Sequence, residues 1–255
     1  MNLKSYIRLV LLLCVAFAAS CAPVIKTRPN PANPVRTIAV LPMYNATNDV
    51  DGPQMIRRMT FESLSGLHYD VMPLDELDAR LRDSFGVTLG SQLDLLDPVA
   101  LGEGLSVDAL LYGYLLDFDT VTTGLYNVKK VRAGFKLIDA KTGRLIWANG
   151  RGVRGEVISQ GRAGAAVAAL AAPSNSLDEF KTIKGIEAIP GLGDWKLISS
   201  RQEKKAGDAA IFSLGERLIT TAVGAHLKME SSEMLEAILA GFPAGPGNTK
   251  ASKRN

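Results

Sequence analysis

The order of patterns along this 255-residue chain predicts an α/β fold: a mixed sheet flanked by helices, with a βαβ start, an antiparallel meander and a C-terminal helical segment. Three observations carry that prediction. Residues 36–42 are a continuous run of β-branched and apolar residues, as in a strand buried on both faces. Strand-like and helix-like patterns then alternate up to residue 108. Three strand patterns follow, the last two joined by a tight turn at residues 139–143.

In chain order, Asn45, Asn48, Asp49 and Gly52 mark the first loop, and Pro53 suits the first turn of a helix, where a missing N–H costs nothing. Met55, Ile56, Met59 and Leu64 recur at helical spacing behind it, and residues 69–72 make a short second strand. Leu74, Leu77 and Leu81 form a second helical stripe, entered through Pro73 and closed near Gly86. Asp97 caps a third helix holding Val99, Leu101 and Leu105. Residues 108–119 and 127–138 read as strands. Gly143 supplies the positive φ of the next turn, and a returning strand runs from Leu145-Ile146-Trp147 toward Val157.

Beyond residue 160 the character changes. Residues 161–172 are small, with Gly161, Ala165 and Ala169 four apart, a spacing that lets helices approach closely. The stretch is too short to cross a bilayer. Residues 173–205 carry Pro173, Gly185, Pro190, Gly191 and Gly193 and read as a long mobile loop of binding or assembly character. An amphipathic helix follows, with Ile211, Leu214, Leu218, Ile219, Ala222 and Val223 on one stripe. A short helix with Met234, Leu235, Ile238 and Leu239 stops at Gly241 and Pro243. The expected organisation is thus an α/β domain at 36–160, a segment at 161–242 packing on it, and a disordered basic tail at 243–255.

The first twenty residues read as an export signal. Lys4 and Arg8 form the positive n-region, and the apolar run from Leu9 to Ala19 has the length of a signal h-region rather than of a permanent span. It ends in Ala18-Ala19-Ser20-Cys21, which resembles the lipobox of bacterial lipoproteins. That resemblance implies cleavage before Cys21 and acylation of its thiol, and two or more acyl chains give stable membrane anchoring. Ala22, in place of Asp, implies sorting to the outer membrane. Residues 21–35, with Pro23, Pro29, Pro31 and Pro34, form a proline-stiffened tether reaching roughly 40 Å from the lipid.

Composition narrows the chemistry. Cys14 lies in the discarded segment and Cys21 is acylated, so no disulfide framework or Cys-based zinc site is expected, and no cofactor. Without Lys4 and Arg8 the charge balance is near neutral, which gives nucleic acid no electrostatic footprint. No Gly-x-Ser-x-Gly elbow, phosphate-binding glycine loop or His-Glu-x-x-His is present. His68 reads as a surface or satisfied histidine and His226 as a helix-end residue. Asp117 and Asp119 share one face of a strand end, but no further ligand joins them. Trp147 reads as a packing residue, whereas Trp195 joins Gly161, Ala165 and Ala169 as the candidate interaction segment.

The lipobox, Ile38-Ala-Val-Leu-Pro-Met-Tyr-Asn45, Val107-Asp-Ala-Leu-Leu-Tyr112 and Leu137-Ile-Asp-Ala-Lys-Thr-Gly-Arg-Leu-Ile-Trp147 together resemble a family of bacterial lipoproteins of unknown function. This is domain-of-unknown-function family seven-nine-nine, the GNA-type lipoproteins. The resemblance spans residues 36–164 and, more loosely, runs to Leu227. The same motifs are similar to those of a wider group, the curli-secretion lipoprotein and the amino-terminal domain of TolB. The resemblance implies a non-enzymatic envelope module, lipid-anchored at the periplasmic face of the outer membrane, that associates with itself or with companion lipoproteins in assembly, secretion or transport. Two alternatives are a subunit of an oligomeric outer-membrane pore and an envelope hydrolase using Asp117 and Asp119.

Overall fold

In the computed structural model of the protein, residues 27–123, 125–171, 177–197, 202–204 and 227–247 are described. The signal segment, Cys21, the stripe from Ile211 to Val223 and His226 lie outside them. The elements are β1 (Thr37–Val40), β2 (Tyr44–Asn45), α1 (Gly52–Gly66), β3 (Asp70–Val71), α2 (Leu74–Phe85), α3 (Pro98–Leu105), β4 (Ala109–Thr122), β5 (Tyr126–Asp139), β6 (Leu145–Ser159), α4 (Arg162–Ala171), β7 (Trp195–Leu197), β8 (Gln202–Lys204) and α5 (Lys228–Leu239). An eight-stranded mixed sheet runs β3-β1-β4-β5-β6-β7, with β2 also on β4 and β8 also on β6. β1 pairs in parallel with β3 and β4, while β4, β5 and β6 form the antiparallel meander. The α/β architecture expected from the sequence is the one observed.

The reason lies in the side-chain alternation. Ile38 and Val40 point into one core with α1 and α5, and Ala39 and Leu41 point into the other with α2 and α3. Burial on both faces is what made this strand a continuous apolar run. Local signals set the ends of the helices. Asp97 accepts a hydrogen bond from the Ala100 amide at 3.0 Å, and Gly86 takes the left-handed C-cap with φ +66°. At α1 the capping falls to Asp49, whose carboxylate accepts from the Gly52 and Asp51 amides. Gly143, at φ +68°, turns β5 into β6, where Asp139 accepts from the Lys141 and Thr142 amides.

α1 is fixed to both neighbours by one residue. Arg57 is fully enclosed; its Nε donates to the Val40 carbonyl, and its two terminal nitrogens donate to both oxygens of Asp78 on α2. On the same face of the sheet, α5 buries Met234, Leu235, Ile238 and Leu239, and Trp147 packs edge-on against Phe242 at 4.6 Å.

Three expectations are corrected. Residues 27–35 do not hang free as part of a tether, and residues 243–247 are not part of a disordered tail: they hold each other. The Asn30 amide donates to Gly245, Asn33 donates to Ala244, and Arg36 donates to Gly247. His68 joins through a 2.7 Å contact with the Thr27 carbonyl, which makes it a satisfied histidine. Proline removes backbone donors but leaves Asn30 and Asn33 to bond, so this stretch docks rather than extends. Residues 177–197 likewise are not a loose loop. They fold down on the sheet, and Phe180, Ile183, Ile189 and Leu192 enter the second core.

Candidate functional site

The folded-down segment covers one face of the meander, and the sequence beneath it is what lets it lie there. On that face β5 presents Lys130, Arg132, Gly134 and Lys136, while β6 presents Ala148, Gly150, Gly152 and Arg154 in register. Three of these positions have no side chain. A Cβ on Gly150 would stand 2.7 Å from Leu192 Cδ1 and 3.0 Å from Leu192 Cα; one on Gly152 would stand 2.6 Å from the Trp195 ring. The Gly150 amide donates to Pro190 at 2.8 Å and the Gly152 amide to Asp194 at 2.7 Å, so the bare strand also holds the segment by its backbone. Residues 177–197 thus form a flap.

Beneath the flap lie two polar groups. In the first, Asp117 and Asp119 share a face as the period-two spacing implied, with a β-bulge between Leu115 and Asp117. Arg132 Nε donates to Asp117 at 2.6 Å, and Lys130 Nζ reaches Asp117 at 2.5 Å and Asp119 at 3.4 Å. Both Asp117 oxygens are thereby taken up by cations, an arrangement that ties β4 to β5. Among the described residues no three acidic, histidine or cysteine side chains converge as a metal set. The guanidinium of Arg132 also lies 5.1 Å from the Phe180 ring centre and 4.8 Å from that of Trp195.

In the second group Lys136 lies over Tyr112 and Tyr114, 5.1 and 5.2 Å from their ring centres. Burial pushes the Lys136 ammonium down and the Tyr112 phenol up to about 12; burial also raises Tyr114, as do the nearby Asp94 and Glu187 charges. The flap itself forms an open, mainly apolar pocket of about 320 Å³, lined by Leu177, Ile186, Ile189 and Leu192 with Lys181 and Glu187 as its charged members.

The structure separates the residues that the sequence grouped as one interaction segment. Trp195 lies in β7, over Gly152 and Arg132. Gly161, Ala165 and Ala169 lie on or beside α4, all three exposed, while the neighbouring stripe of Gly164 and Ala168 packs on the sheet. The basic row Lys130, Arg132 and Lys136 was not picked out from the sequence. Its signal is present nonetheless: cations at even spacing, interleaved with Val131, Ala133, Phe135 and Leu137, inside a strand.

A family model for the GNA1162-like lipoproteins matches residues 29–182, more than half of the chain. The chain belongs to that family. A lipoprotein of Neisseria meningitidis serogroup B is 25% identical to it over 151 residues, covering 59% of this chain and 69% of the relative. Among solved structures, lipoprotein GNA1162 of N. meningitidis is similar with a TM-score of 0.45 and 25% identity, over 53% of this chain and 95% of that one. The PelC dodecamer of Paraburkholderia phytofirmans gives 0.32 and 15%, over 48% and 73%. The LpoB C-terminal domain of Escherichia coli gives 0.33 and 13%, over 45% and 79%. The GNA1162-like match agrees with the family resemblance read from the motifs; the family number and the wider likeness to TolB rest on those motifs alone.

Proposed function

We propose that this GNA1162-like lipoprotein is a non-enzymatic module of the cell envelope, anchored by acyl chains on Cys21 to the periplasmic face of the outer membrane. On this reading it associates with itself or with companion lipoproteins in an assembly, secretion or transport complex. The observation that carries the reading is where the chain leaves the fold. Thr27 is held by His68 beside β3, at one edge of the sheet, whereas the flap and Trp195 lie on β6 and β7 at the other. Thr27 is six positions beyond Cys21, so an anchor at Cys21 keeps the β3 edge within roughly 20 Å of the lipid. With strands spaced about 4.8 Å apart, β7 at the far edge then stands some 24 Å farther along the sheet. The exposed face of α4, with Gly161, Ala165, Ala169 and Leu170, and the flap are the surfaces such a module offers to partners.

The test is in-cell cross-linking with mass spectrometry, run beside palmitate labelling and membrane fractionation, on wild type and Cys21→Ala. The expected result is label and outer-membrane recovery in wild type only, with a defined partner set that the variant loses. A Cys21→Ala protein that stays membrane-bound with the same partners refutes the anchor. A protein with no cross-links in either form refutes the assembly role.

A further inference from the structure

Arg132 is wholly buried, yet only its Nε is hydrogen-bonded, to Asp117. Both terminal nitrogens, Nη1 and Nη2, are buried without a hydrogen-bond partner, and so is the indole Nε1 of Trp195, whose ring packs on the same guanidinium. Folded proteins leave few buried donors unpaired, and several at one place point to a missing acceptor. One acidic group is already near: Glu179 Oε1 lies 3.9 Å from Arg132 Nη2, beyond hydrogen-bond reach, and its side chain is 48% exposed.

We propose that Arg132 and Trp195 form a carboxylate-binding site under the flap, with Glu179 as its built-in competitor. The chemistry favours a carboxylate because the free end of a guanidinium presents parallel N–H donors that match two coplanar oxygens. The indole N–H adds a third donor. A ligand reaches the fork along the path Glu179 occupies, so the site is filled either by the protein's own acidic side chain or by an outside carboxylate. The outside carboxylate is that of a free small acid or of a peptide chain.

The experiment uses the full chain carrying Trp147→Phe, which leaves Trp195 as its single tryptophan, excited selectively beyond the tyrosine absorption. Acetate is titrated against chloride at constant ionic strength, followed by a short neutral peptide with a free or an amidated C-terminus. A saturable change in Trp195 emission specific to carboxylate is expected. Glu179→Gln removes the competitor and tightens binding by about threefold or more, and Arg132→Lys keeps the charge, loses the fork and weakens it by about tenfold. Response to acetate or to the free-acid peptide supports the site and assigns its source. An acetate effect no different from chloride, equal binding of both peptide forms, or no tightening in Glu179→Gln overturns it. The Glu179 variant alters an exposed residue, so it decides the matter even if Arg132→Lys fails to fold.

Discussion

Substituting Gly150 by alanine tests how the flap is seated. The added Cβ meets Leu192 Cδ1 at 2.7 Å and Leu192 Cα at 3.0 Å. The first atom can rotate away; the second is backbone and must move by about 0.5 Å to regain ordinary contact. That shift strains the 2.8 Å hydrogen bond from Gly150 to Pro190. Overpacking of this kind costs about 1–3 kcal/mol, and the lower backbone entropy of alanine in the unfolded chain returns about 0.5–1. The alternative response, lifting the flap, exposes Phe180, Ile183, Ile189 and Leu192, each worth about 1.5–3 kcal/mol of burial. Strain is the smaller loss, so the flap bends and stays down. Urea unfolding should show a loss of about 1–2 kcal/mol, and hydrogen exchange should quicken at the Gly150 amide more than along the flap. Gly66→Ala, where a Cβ meets nothing within 4 Å, serves as the control and should cost nothing. A Gly150→Ala protein as stable as wild type, or one whose flap amides exchange freely, would refute the seating described above.

Arg57→Ala should cost about 2–4 kcal/mol in urea unfolding, because it strands the buried Val40 carbonyl and unties α1 from α2; a loss under 1 kcal/mol counts against that role. Tyr112→Phe and Tyr114→Phe should be neutral or stabilising by up to about 1 kcal/mol, since both hydroxyls are buried without a partner. In an alkaline titration Tyr69 and Tyr112 should ionise near 12, with burial as the cause, and a phenolate signal from either near 10 contradicts it. Asp108 is partly buried, which alone would raise its carboxyl, but hydrogen bonds from Thr37 and Arg36 outweigh that and hold it below the ordinary aspartate range. Its contribution is therefore complete above pH of about 4 and is lost as pH falls through the depressed value; Asp108→Asn should lose stability at pH 7 and show a shallower acid decline than wild type.

Whatever is local was legible in the chain. The two-faced burial of β1, the Asp97 cap, the Gly86 stop and the Gly143 turn each follow from the chemistry of one residue and its neighbours, and each is where the sequence put it. Even the shared face of Asp117 and Asp119 followed from strand periodicity. The role of that pair did not, because Lys130 and Arg132 reach it across a strand pairing set by a β-bulge.

The flap lies at the opposite extreme. Its proline and glycines read as a loop, since local propensity favours no regular element there; it is ordered by Gly150 and Gly152, tens of residues away, which offer bare backbone for it to rest on. The same holds for the docking of residues 27–35 against 243–247, a contact between distant parts of the chain. On α4 the sequence identified small residues, but only the helix's position on the sheet decided that Gly164 and Ala168 face inward and Gly161, Ala165 and Ala169 outward. Sequence alone gave away the elements from β1 to β6 and the family, because these rest on short-range pattern. Tertiary structure decided which side chains share a site, because register and long-range packing are fixed only when the whole sheet closes on its two cores.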